Sequence, residues 1–78
     1  MTGTTVYADF HNADPSGRVR LNLHGTAEDL KRLSIELCEG LKLVLSDGEL
    51  SVEGVVRFSS EEQVWVAEID WNEIVDGE

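Results

Sequence analysis

From Leu41 to Phe58 the chain reads LKLVLSDGELSVEGVVRF, and no other stretch restricts the fold so tightly. Leu41, Leu43 and Leu45 alternate up to Ser46-Asp47-Gly48-Glu49, and Leu50 and Val52 resume the alternation beyond it. Period two marks a strand with one buried face, and Asp-Gly between two such runs favours a two-residue hairpin loop of type I′. The segment therefore predicts two antiparallel strands joined at Asp47-Gly48. Glu53-Gly54 then precedes adjacent Val55 and Val56, with Val56 and Phe58 taking up the inward phase. A bulge or sharp bend at Gly54 is expected to curl the sheet.

The remaining strands show the same period. In TTVYADF, Val6, Ala8 and Phe10 share a face. In GRVRLNLHG, Val19, Leu21 and Leu23 oppose Arg18, Arg20, Asn22 and His24. In VWVAEIDW, Trp65, Ala67, Ile69 and Trp71 form the expected core face, and Val64, Val66, Glu68 and Asp70 the other. Ser59 to Gln63 reads as a turn. Thr26-Ala-Glu-Asp opens a helix, with Thr26 as cap and Asp29 at the capping-box position, and Leu30, Leu33 and Leu37 follow at helical spacing. Ile35 and Leu37 also alternate as an extended segment would, so the predicted helix runs from Ala27 to about Leu33, with an extension toward Glu39 left open.

The expected architecture is α+β: a strongly curled, five-stranded, mostly antiparallel sheet or a small SH3-like barrel, with one short helix, in the order ββαβββ. With 78 residues the chain has room for one core, so residues 1–78 form a single domain. A domain this small buries only about 60 % of the surface its unfolded chain exposes, which leaves self-association into a homo-oligomer open as a source of stability.

Charge narrows the function classes. Sixteen acids face six bases, for a formal charge of −10. Such a body repels nucleic acid and anionic membranes and favours basic partners. Every base lies at or before Arg57, whereas Glu61, Glu62, Glu68, Asp70, Glu73, Asp76 and Glu78 follow without one. No apolar run approaches the roughly 20 residues of a membrane span. Cys38 has no cysteine to pair with, and no charged-then-apolar leader precedes Tyr7, so the expected setting is a reducing cytoplasm.

The densest chemistry is DFHNADPSGR, Asp9 to Arg18. Asn12, Asp14, Ser16, Gly17 and Val19 fall on positions one, three, five, six and eight of a calcium loop, but position twelve, which needs a glutamate, is Leu23. A strand pattern also follows where the motif needs a helix. Asp14-Pro15-Ser16-Gly17 is turn chemistry: aspartate bonds the backbone ahead of it, proline presets φ and glycine accepts positive φ. His11 and His24 lie outside any metal spacing and read as solvated or hydrogen-bonded. Cys38 reads as a small buried hydrophobe. Arg18 and Arg20 are expected to pair with acids of a neighbouring strand, such as Asp9, Glu68 or Asp70.

Glu68 and Asp70 stand about 7 Å apart at 3.4 Å of rise per residue, a glycosidase-like separation, but nothing supplies a nucleophile, an oxyanion loop or a phosphate-binding glycine motif. The expectation is a non-enzymatic chain without cofactor or metal. Val64 and Val66, with Val55, would form an apolar strip edged by acids if the sheet were open.

Together, YADFHNADPSGRVRL, EGLKLVLSDGELSVEGVV and WVAEIDW resemble a set of short, uncharacterised bacterial proteins, over Tyr7 to Ile74. None of these segments is a motif of known chemistry, and the resemblance carries no functional residue over. It implies a bacterial, cytoplasmic setting, and a longer acidic connection in those proteins implies that the Ser46–Glu49 turn is no essential site.

The sequence thus predicts an acidic interaction or regulatory module that binds a basic partner protein through Glu61, Glu62, Val64, Val66, Glu68 and Asp70. A nucleic-acid mimic that inhibits a DNA- or RNA-binding protein is the alternative from another class, and a homo-oligomeric structural subunit is a third. Direct nucleic-acid or membrane binding is not expected.

Overall fold

The computed structural model describes residues 4–76, so Glu78 of the acidic C-terminal quarter lies outside the described residues. Along the chain come β1 (Thr5–Tyr7), β2 (Val19–Arg20), α1 (His24–Arg32), β3 (Lys42–Ser46), β4 (Leu50–Ser59), β5 (Val64–Ile69), a 3-10 turn (Trp71–Glu73) and β6 (Val75–Asp76). The ββαβββ order holds, and β6 is an addition that the alternation did not reveal. The strands lie in the order β1-β3-β4-β5-β2, with β6 beside β4. Only β1 and β3 run parallel; β2–β5, β3–β4, β4–β5 and β4–β6 are antiparallel.

The sheet curls into a half-barrel because β4 is shared diagonally. Its residues Ser51–Val55 pair with β3, and Gly54–Ser59 pair with β5. The chain after β1 completes the curl: beyond Ala8, whose N–H still reaches Ser46 O in β3, residues Asn12 to Asp14 lie along the far side of β2. One N-terminal segment thereby touches both ends of the sheet.

Gly54 does not form a bulge. The register with β3 and with β5 runs unbroken through it, and Val52, Gly54 and Val56 are successive inward positions. What the glycine supplies is room, since a Cβ there would meet Ile69 Cγ2 at 3.1 Å and Ala67 Cβ at 3.2 Å. The hairpin turn also sits one residue later than expected. Asp47 donates its N–H to Leu50 O, so the central residues are Gly48 and Glu49, and positive φ occurs at Gly48 alone, at 101°. That excludes type I′, which needs positive φ at both central residues. The Asp47 carboxylate closes the turn by accepting from the Glu49 and Leu50 amides, each at 2.8 Å.

The helix is shifted and differently used. It starts at His24 rather than Ala27, with Leu23 as N-cap and no side-chain cap. Thr26 and Asp29 are spent on β1: Thr26 Oγ1 donates to Tyr7 O at 2.6 Å, and Asp29 Oδ2 accepts from Tyr7 N at 2.8 Å. Those two Tyr7 groups face away from β3, so the helix satisfies the open edge of the sheet. Its end resolves the ambiguity over Ile35. Ser34 takes a left-handed φ of 58°, Ser34 N donates to Lys31 O and Ile35 N to Leu30 O. This is the Schellman arrangement, and it stops the helix before Glu36.

Among the described residues, ten buried side chains form the core cluster: Val6, Ala8, Phe10, Val19, Leu21, Leu43, Leu45, Val52, Val56 and Ala67. Full burial of a valine or leucine contributes roughly 1.5–3 kcal/mol, well above what an exposed ion pair adds, so this cluster holds the fold. Two expected members stand apart. Trp71 is 44 % exposed, because β5 ends at Ile69 and the 3-10 turn carries the indole out to donate to Gly17 O at 2.8 Å and meet Phe10 edge-on at 6.3 Å. Phe58 is 38 % exposed one residue before the end of β4, edge-on to Trp65 at 5.1 Å. Cys38, expected to be buried, is exposed in the loop between α1 and β3. No helix among the described residues is long and apolar enough to cross a membrane.

Candidate interaction surface

The Asp14–Arg18 segment is a turn held by one carboxylate. Asp14 Oδ1 accepts from the Ser16 and Arg18 amides at 2.9 and 2.8 Å, and Oδ2 accepts from Arg18 Nε at 3.0 Å. Gly17 donates its N–H to Asp14 O and has φ 85°. Burial pushes the Asp14 carboxyl upward, but the Arg18 amide, the Arg18 charge and guanidinium and the Ser16 amide together hold it below its ordinary value. Among the described residues no group of three or more His, Cys, Asp or Glu side chains is placed to hold a metal ion. The His11 and His24 side chains are 99 % and 88 % exposed, each beside a carboxylate, that of Asp9 and Glu28 respectively.

The six residues expected to form one acidic strip are placed very differently from one another. Glu62 accepts from two nitrogens of Arg20, Oε1 from Nε at 2.7 Å and Oε2 from Nη2 at 2.8 Å. Arg20 Nη1 also donates to Ala13 O at 3.0 Å, which ties the β4–β5 turn to the segment beside β2. The hydrogen bonds from Arg20 hold Glu62 below the usual carboxylate range despite some desolvation. Val66 has no exposed surface, and in register it lies between Arg20 of β2 and Arg57 of β4. The apolar strip is therefore interrupted at its centre, with Val64 half-buried opposite Ser59. Glu68 shares Arg57 with Glu39, at 3.4 and 3.5 Å. Asp70 accepts from Asn72 N at 3.0 Å and caps the 3-10 turn. Glu61 is exposed and makes no hydrogen bond or ion pair among the described residues.

The arginines explain this partition. Arg18 pairs with Asp14, Arg20 with Glu62, Arg32 with Asp29, and Arg57 with Glu39 and Glu68. Arg18 and Arg20 are paired as expected but not with Asp9, Glu68 or Asp70, because the partners come from their own turn and from the β4–β5 turn. With the guanidinium groups spent, the acidic excess accumulates elsewhere. Glu53 and Glu73 are exposed and without an ion pair among the described residues, and with Asp70 they rim an open groove of about 460 Å³. Its remaining walls are Val44, Ser51, Val52 and Val75, the last 59 % exposed. Sequence reasoning missed this place. The alternation puts Glu53 at a bend and Val75 in no element, so of this groove's acids only Asp70 and Glu73 belong to the acidic run after Phe58.

A second groove, of about 700 Å³, shares no lining residue with the first and includes Arg18, Phe58, Glu61, Glu68 and Trp71 in its walls. A scan against protein-family models and searches of curated proteins and of solved structures find no match.

Proposed function

We propose that this chain is a small, non-catalytic acidic module that docks onto a basic surface of a partner protein. The observation that carries the reading is the groove between β3, β4, the 3-10 turn and β6, where Glu53, Asp70 and Glu73 share the walls with valines and none of the described residues in the walls is basic. Lysine and arginine match such a groove, because their methylene stems lie on apolar surface while their charged heads reach for carboxylates. The net charge of −10 adds long-range attraction that speeds encounter and weakens as salt screens it. A lone cysteine suits the reducing cytoplasm in which we place this role.

The test is affinity capture from a bacterial lysate at low and high salt, with wild type beside the triple variant Glu53→Gln, Asp70→Asn, Glu73→Gln. Asparagine keeps the capping function at position 70, so the fold of the turn is preserved. A basic protein retained by wild type at low salt, released at high salt and lost by the triple variant is the expected result. Retention of the same proteins by the variant, or no salt-sensitive ligand at all, would sink the reading.

A further inference from the structure

The second groove differs from the first in carrying aromatic surface. Phe58 and Trp71 are 38 % and 44 % exposed, unusually open for rings in so small a core, and both line this one groove with Glu61 and Glu68. The indole N–H of Trp71 is already donated to Gly17 O, so what Trp71 offers outward is ring carbon. Arg18, the one base among the described residues of the walls, is neutralised by Asp14 at 3.0 Å. Glu61 makes no pair among the described residues, and Glu68 holds Arg57 only at 3.4 Å. Electron-rich ring surface beside incompletely paired carboxylates, with the local cation already committed, complements an incoming cation.

We propose that this groove receives an arginine side chain of the basic partner, stacked on Trp71 or Phe58 with its guanidinium toward Glu61 and Glu68. Arginine is specified over lysine because its planar, weakly hydrated head both stacks on rings and forks onto a carboxylate, whereas ammonium is a strongly hydrated point charge. The inference rests on the basic-partner reading and places a second anchor close to the first groove: Asp70 lines the first, and its chain neighbours Ile69 and Trp71 line the second.

The experiment is a titration of the ¹⁵N-labelled full chain with three short peptides that differ only in carrying arginine, lysine or glutamine. Two tryptophans give two indole N–H signals to follow. Saturable movement of the Trp71 indole and the Phe58 and Glu61 amides with the arginine peptide is expected, with weaker binding of the lysine peptide and none of the glutamine peptide. Phe58→Leu and Glu61→Gln should each weaken binding by about two- to fivefold while signals beyond the immediate neighbours of the substituted residue, Trp65 among them for Phe58, are unchanged. Movement confined to Glu53, Glu73 and Val75 would overturn this inference and leave the basic-partner reading standing. Equal response at Trp71 to the lysine or glutamine peptide would also overturn it, and no response to either basic peptide would overturn both.

Discussion

Asp14 gathers three donors onto one carboxylate while its side chain is only 3 % exposed. Removing it leaves two amides and a guanidinium without their acceptor in a place where water reaches poorly. Asp14→Ala is expected to lower unfolding stability by on the order of 2–3 kcal/mol, read from urea denaturation at pH 7. The same group sets part of the acid response. Its carboxyl is held below the ordinary 3.8 in the folded chain, so between those two values the unfolded state binds more protons. Its stabilising contribution is thus complete above about 3.8 and is lost as pH falls through the folded value. Wild type should lose stability more steeply than Asp14→Asn over that window, and equal slopes would remove Asp14 from the account. The turn was legible in the sequence because its bonds span two to four residues. The Arg20–Glu62 pair spans 42 residues and was not.

At the scale of elements, α1 shows how a correct periodicity can accompany a wrong local role. Thr26 has the chemistry of a cap, yet it is buried and its hydroxyl is given to the edge of β1. Thr26→Val should cost about 1–3 kcal/mol, because it leaves the Tyr7 carbonyl without its donor, while Thr26→Ser should stay close to wild type. Hydrogen exchange is the discriminating readout: amides of α1 should open faster in the valine variant, with those of β4 and β5 protected as before. Uniformly faster exchange in all three elements would mean that the contact supports the whole fold and not the helix attachment alone. The strand–turn–strand reading of β3 and β4 survived because alternation and turn residues agree over many positions. The one-residue offset at Gly48 escaped it, since Asp47-Gly48 and Gly48-Glu49 differ only in which backbone hydrogen bond closes the loop.

Over the whole molecule, sixteen acids against six bases make self-repulsion the larger long-range term. The arginine pairs are favourable and salt weakens them, but the like charges outnumber them. Raising sodium chloride from about 20 to 300 mM shortens the Debye length from roughly 20 Å to under 6 Å and should raise the melting temperature at pH 7. A fall would show that the arginine pairs outweigh the repulsion. The same screening should weaken binding to a basic partner, so stability and affinity are expected to move in opposite directions with salt.

Neighbours along the chain, its length and its composition are enough for the period-two faces of the strands, the turn chemistry of Asp14 and Gly48, the single core and the sign of the surface charge. Side chains two, three or four residues apart meet in any strand, turn or helix, whatever the rest of the fold does. Contacts between distant segments cover Val66 and leave Val75 open, draw Trp71 out of the core to the Gly17 carbonyl, and set which acids keep their charge unpaired. Those outcomes depend on which strands become neighbours when the sheet curls, and on where four long arginine side chains reach once it has. Alternation assigns a residue to a face, but the curl and the arginines decide whether that face meets water.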